Sequence, residues 1–128
     1  MSVKNYRDLE VWQLSMDLAE HCYRLTKRFP RAELFGLAGQ IRRAAGSVPA
    51  NLAEGHGRQH TKEFINHISI ARGSLKELET HLMLAHRVEL LDEEALQELM
   101  ARTDRISRML AGLRASLQSR LRGRGRET

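Results

Sequence analysis

Cysteine occurs once in this chain, at Cys22, which excludes an intrachain disulfide and with it the small disulfide-stapled folds of oxidising compartments. Proline occurs twice, at Pro30 and Pro49, so long helices can run with few enforced breaks. Aromatic residues make up only 5% of the chain. A core must therefore be built from Leu, Ile, Ala, Met and Val, which suit helix-on-helix packing. No apolar run approaches the roughly 18 residues of a membrane span, and charge interrupts each apolar segment at helical spacing. No positively charged start leads into an apolar stretch, so the expected location is the reducing cytoplasm, without membrane insertion.

The signatures of common enzymes are missing as well. His-Glu-x-x-His, Gly-x-x-x-x-Gly-Lys-Ser/Thr and Gly-x-Ser-x-Gly do not occur. Di-iron bundles need Glu-x-x-His on two helices, and no glutamate here has histidine three residues later. His60, Glu63 and His67 share one helical face and form a ligand set that zinc or iron accepts. These positions equally fit an exposed face beside an apolar seam, with His60 at a fraying helix start, and that reading is preferred. Cys22 lies on an apolar seam, where a buried and inert thiol is expected. The expectation is no enzyme, no metal and no cofactor.

What is present is helical periodicity. With 128 residues, 41% hydrophobic and 29% charged, the chain suffices for one domain with a real core. A first helix is expected from about Asp8 to Arg28, stopped by Pro30. Val11, Leu14, Leu18, Cys22, Leu25 and Phe29 form its inward seam, and Leu9, Trp12, Met16, Ala19 and Tyr23 form a second stripe beside it. One stripe serves a bundle core; the second points to another covering surface, such as a neighbouring subunit met through Trp12, Met16 and Tyr23.

The second helix is expected over Ala32 to Ala53, through Leu34, Leu37, Ile41, Ala44 or Ala45, Val48 and Leu52, kinked or split near Ala45 to Pro49. Ser47 is placed to satisfy groups freed by the proline. Glu54 to Gln59, with Gly55 and Gly57 flanking His56, reads as a loop. The third helix, capped by Thr61, carries the most regular seam: Phe64, Ile68, Ala71, Leu75, Leu78, Leu82 and Ala85. Asp92 caps the fourth, with Leu91 and Leu96 as a hydrophobic staple. Its seam is Leu96, Leu99, Thr103, Ile106, Leu110, Leu113 and Leu117. Short connections make the expected fold class all-α, an antiparallel up-down-up-down four-helix bundle over residues 1–118. Residues 119–128 are expected to be a disordered basic Arg/Gly tail.

Charge matters through its placement. Arg120, Arg122, Arg124 and Arg126 against the single Glu127 account for more than half of the net charge of +5. The tail reads either as a solvated end or as an arm that reaches phosphates without reading sequence. In the folded part the densest basic group is Arg42 and Arg43 with Arg58 and Lys62. An antiparallel hairpin puts the second pair at the turn and the first nearer mid-helix, so an oligomer is needed to gather them into one ring or groove.

Several strings resemble a known family. Tyr6-Arg7-Asp8-Leu9-Glu10-Val11-Trp12-Gln13, Phe29-Pro30, Gln40-Ile41-Arg42-Arg43-Ala44-Ala45, Ser47-Val48-Pro49-Ala50-Asn51-Leu52-Ala53-Glu54-Gly55 and Gly73-Ser74-Leu75-Lys76-Glu77-Leu78-Glu79-Thr80 are similar to bacterial four-helix-bundle proteins encoded within intervening sequences of 23S rRNA genes. The likeness runs from about Tyr6 to Leu117. It implies a subunit of a ring-like homopentamer and no catalytic residue. It also implies a fold related to the accessory variability determinant of diversity-generating retroelements, which binds nucleic acid and a reverse transcriptase. Arg42, Arg43 and Arg58 match the family pattern and are where it implies a contact with RNA or DNA. A protein-interaction scaffold with incidental nucleic-acid contact is the alternative role.

Overall fold

The computed structural model describes the backbone of residues 5–127 and the side chains of residues 5–123. Four helices, α1 (Glu10–Thr26), α2 (Leu37–His56), α3 (Thr61–Arg87) and α4 (Glu93–Glu127), are joined by short connections, and no strand occurs among the described residues. Cross-helix pairs fix their directions. Asn51 meets His67 while Ser47 meets Ser74, so α2 and α3 are antiparallel. His86 meets Glu93 across the α3–α4 turn, and Arg105 meets Glu10 where α4 passes the start of α1. Each helix packs on its chain neighbours and α4 closes back onto α1, leaving the diagonals apart.

The inward seams form one core. Leu18, Ile41, Leu52, Ile68, Leu75, Leu78, Leu82, Leu99, Ile106 and Leu110 are fully buried or nearly so, each stabilising the fold by roughly 1.5–3 kcal/mol relative to exposure. Two of the buried hydroxyls in this core are satisfied within their own helices. The Ser15 hydroxyl donates to the Val11 carbonyl at 2.7 Å, and the Thr103 hydroxyl donates to the Met100 carbonyl at 3.0 Å. Asp92 caps α4 through its Oδ1, which accepts from the Ala95 amide at 2.8 Å, and Leu91 and Leu96 are both buried.

The helices depart from the sequence expectation in five places, four of them at helix ends. Before α1, Tyr6–Asp8 form a 3-10 turn capped by Asn5, and α1 begins at Glu10. Arg31–Glu33 form a second 3-10 turn, so α2 starts at Leu37 rather than near Ala32, and Leu34 faces solvent instead of the core. The helix α2 then runs unbroken through Pro49, whose ring is buried; packing against α1 and α3 offsets the missing hydrogen bond. It continues to His56 through a buried Gly55, in place of a loop from Glu54. Thr61 is the first residue of α3 and not its cap; His60 holds the cap position without a side-chain bond.

The segment expected to be a disordered tail is helical as well. Helix α4 runs through Ser119 to Glu127. Leu117 is buried and Leu121 half-buried, so the apolar seam continues one step further, with arginine, a good helix former, at four of the nine positions 119–127 against two glycines.

Candidate nucleic-acid interface

Arg42 and Arg43 are neighbours in sequence but serve different clefts, because successive helical residues point about 100° apart. Arg42 turns toward the end of α1. Its Nε donates to Thr26 Oγ1 at 2.8 Å, and its guanidinium lies 4.9 Å from the centre of the Tyr23 ring. Thr26 is only 3% exposed, and its hydroxyl is anchored on the Cys22 carbonyl at 2.8 Å. Lys27, Arg31, Phe29, Pro30, Leu34 and Ala38 complete the cleft that Arg42 lines, with a volume of about 370 Å³. Arg43 instead lines a cleft of about 290 Å³ between α2 and α3, with Gln40, Ala44, Ser47, Ser74 and Glu77.

Arg58 is held at the α2–α3 turn by carboxylates, 2.9 Å from Glu54 and 4.0 Å from Glu63, which lowers the charge it presents outward. Lys62 is exposed nearby, at the start of α3. The sixteen residues from Arg42 to Arg58 separate the two groups by roughly 24 Å along the helix axis. Within one chain they are two sites. Arg120 and Arg122 are exposed on the last turns of α4. The side chains of Arg124 and Arg126 lie outside the described residues.

A polar ladder crosses the α2–α3 groove beside Arg43, and sequence reasoning missed it. The Asn51 side-chain amide donates to the Ser47 carbonyl at 2.9 Å and to Ser47 Oγ at 3.0 Å. Ser47 Oγ lies 2.8 Å from Ser74 Oγ, and Asn51 Oδ1 lies 3.2 Å from His67 Nδ1. The Ser47 hydroxyl therefore joins two helices and does not serve the backbone before Pro49. Its signal in the sequence is faint: small polar residues on otherwise apolar helix faces, at Ser47, Asn51 and Ser74.

The His60, Glu63 and His67 trio is not gathered by the fold. His67 turns to Asn51, and among the described residues no group of three or more His, Cys, Asp or Glu side chains is placed to hold a metal ion. Cys22 is buried, and that burial pushes its thiol from the ordinary 9.0 up to about 12, against a smaller opposite pull from the charge of Arg102. Of the three residues expected at a subunit interface, Trp12 is half-buried and packs edge-on against Tyr6 at 5.2 Å. Met16 and Tyr23 remain 45% and 47% exposed. No described helix is long and apolar enough to cross a membrane.

No functionally curated protein matches the chain. A solved structure from Bacteroides thetaiotaomicron, of a protein with unknown function from the S23 ribosomal protein family, is similar in fold. The identity is 26% and the TM-score 0.77, covering 82% of this chain and 95% of that one. The family model for the 23S rRNA-intervening sequence protein matches residues 7–112, a span that holds both arginine clefts and the polar ladder and ends within α4. On that match over most of its length, the chain belongs to the 23S rRNA-intervening sequence protein family.

Proposed function

We propose that this chain is a non-enzymatic, homo-oligomeric nucleic-acid-binding protein of the cytoplasm, with RNA its first target. The observation that carries this reading is the set of cations without carboxylate partners. Among the described residues, Arg42, Arg43, Lys62, Arg120 and Arg122 make no ion pair, and neither do Lys27 and Arg31 nearby, whereas Arg24, Arg58, Arg102, Arg105 and Arg108 are each paired with a carboxylate. Unpaired cations on a surface are free to replace the counterions of a phosphate backbone. The family name, which refers to 23S rRNA, makes RNA the first choice over DNA.

Assembly enters the same proposal. Arg42 and Arg58 are far apart in one chain, and a closed ring, with a pentamer as the specific expectation, would bring copies of each into register. Met16, half exposed on α1, is the apolar group proposed to be covered, while Tyr23 packs against Arg42 at the α1–α2 cleft.

Fluorescence anisotropy with structured RNA, single-stranded RNA and duplex DNA at graded salt tests the reading. Affinity is expected to fall steeply as salt rises, and absence of binding by the intact oligomer at low salt would overturn it. A second role, as a scaffold for a reverse transcriptase or another protein, is supported by the exposed Ile70, Met83, Leu84 and Val88. A protein partner that stays bound after nuclease treatment would favour that role.

A further inference from the structure

The cleft at the α1–α2 connection carries a more specific assignment, which rests on the nucleic-acid reading. Three of its lining residues, Lys27, Arg31 and Arg42, are cations, and none of the lining residues is acidic. Among the described residues none of the three makes an ion pair. The nearest carboxylate in sequence, Glu33, does not line the cleft; it lies over Gly36, where a Cβ would come within 3.6 Å of its Oε2.

Arg42 is also pre-organised. Its Nε is fixed on a buried hydroxyl and its guanidinium carbon sits over the Tyr23 ring, while its two terminal nitrogens have no hydrogen-bond partner among the described residues. A guanidinium held this way keeps two parallel donors ready for an oxyanion and loses little entropy on binding. Phe35 follows the lining residue Leu34 in the chain, does not itself line the cleft, and is 93% exposed, so its ring is free to meet a base beside a phosphate held there. An aromatic face beside a cationic groove is the arrangement that holds single-stranded nucleic acid: the cations take the phosphate and the ring stacks a base.

We propose that this cleft is a binding seat for single-stranded nucleic acid, in which Lys27, Arg31 and Arg42 hold one backbone phosphate and Phe35 stacks the adjacent base. A duplex, whose bases are already stacked, cannot use Phe35 and is expected to bind less tightly at this seat.

The test is anisotropy of a fluorescein-labelled ten-nucleotide oligouridylate, with a duplex RNA of equal length as comparison, on the full chain and its variants. Arg31→Ala and Lys27→Ala are each expected to weaken oligouridylate binding, and the double variant to lower the salt slope by at most about 0.7, the share of the one phosphate held in the cleft. Phe35→Ser is expected to weaken it roughly tenfold without changing the slope. Arg42→Lys keeps the charge but loses the fork, and is expected to weaken binding while far-UV circular dichroism stays that of the parent. These substitutions lie at exposed or half-buried positions, and thermal melts report their folding directly.

If the parent chain binds oligouridylate and none of these substitutions weakens it, the seat is overturned and the broader reading stands. If Phe35→Ser changes only the oligomeric state, at unchanged affinity per subunit, Phe35 belongs to a subunit contact and the seat is likewise overturned. If the parent fails to bind RNA at low salt, both proposals fall.

Discussion

Gly55 on α2 and His67 on α3 stand so close that a Cβ on residue 55 would lie 2.6 Å from the Cβ of His67 and 3.0 Å from Phe64 Cδ1. Glycine is needed there for close approach and not for an unusual backbone angle, since the position lies inside a helix. Gly55→Ala gains helix propensity but forces α2 and α3 apart, and the net loss of stability is expected to be about 1–2 kcal/mol. Chemical denaturation of the variant measures it.

Gly112 makes the converse case. A Cβ there meets nothing within 4 Å, and the residue is exposed within α4. Gly112→Ala is expected to stabilise the fold by about 0.5–1 kcal/mol and to raise Tm. A fall in Tm would show that another surface packs on this stretch of α4.

The Ser47, Asn51, Ser74 and His67 ladder holds the two most closely packed helices together by hydrogen bonds. Asn51→Ala removes the donor to Ser47 and the partner of His67, and is expected to cost about 1–3 kcal/mol. Ser74→Ala, which removes one bond, is expected to cost about 1 kcal/mol. A double-mutant cycle over Asn51 and Ser74 should give a coupling term, as the two share Ser47.

Cys22 should resist alkylation in the folded protein near neutral pH and react readily in denaturant, because the thiolate is the reactive form and burial disfavours it. The raised thiol also links to stability. Its folded value lies above its ordinary one, so the native state holds the proton more tightly; the associated stability is complete below about pH 9 and is lost as pH rises toward about 12. Comparing the alkaline unfolding of the parent with Cys22→Ala isolates that contribution, and an equal pH dependence in both would refute it.

Met16 is 45% exposed on α1 and belongs to the stripe proposed as a subunit contact. Met16→Glu is expected to lower the oligomeric mass seen by sedimentation velocity while leaving the helical content unchanged. An unchanged mass would place the contact elsewhere.

The helices and their buried faces were legible in the order of the amino acids alone. Leu75, Leu78 and Leu82 on α3 and Ile41, Val48 and Leu52 on α2 are buried where their spacing puts them, because a three-and-four repeat of apolar residues has one stable use in water: a helix with that stripe against a core. Asp92 was equally legible as a cap, since its hydrogen bond is local. Features that depend on residues distant in sequence emerged only once the helices were packed. Pro49 looks like a helix breaker until its ring is seen seated in the core, and Gly55 looks like a loop glycine until α3 is packed against it. Arg42 and Arg43 look like one basic pair until α1 claims one and the α2–α3 groove the other. Local propensity costs about 1 kcal/mol at a glycine and about 3 at a proline, whereas the buried side chains of a whole helix face together contribute more than either, so packing overrides propensity where the two disagree.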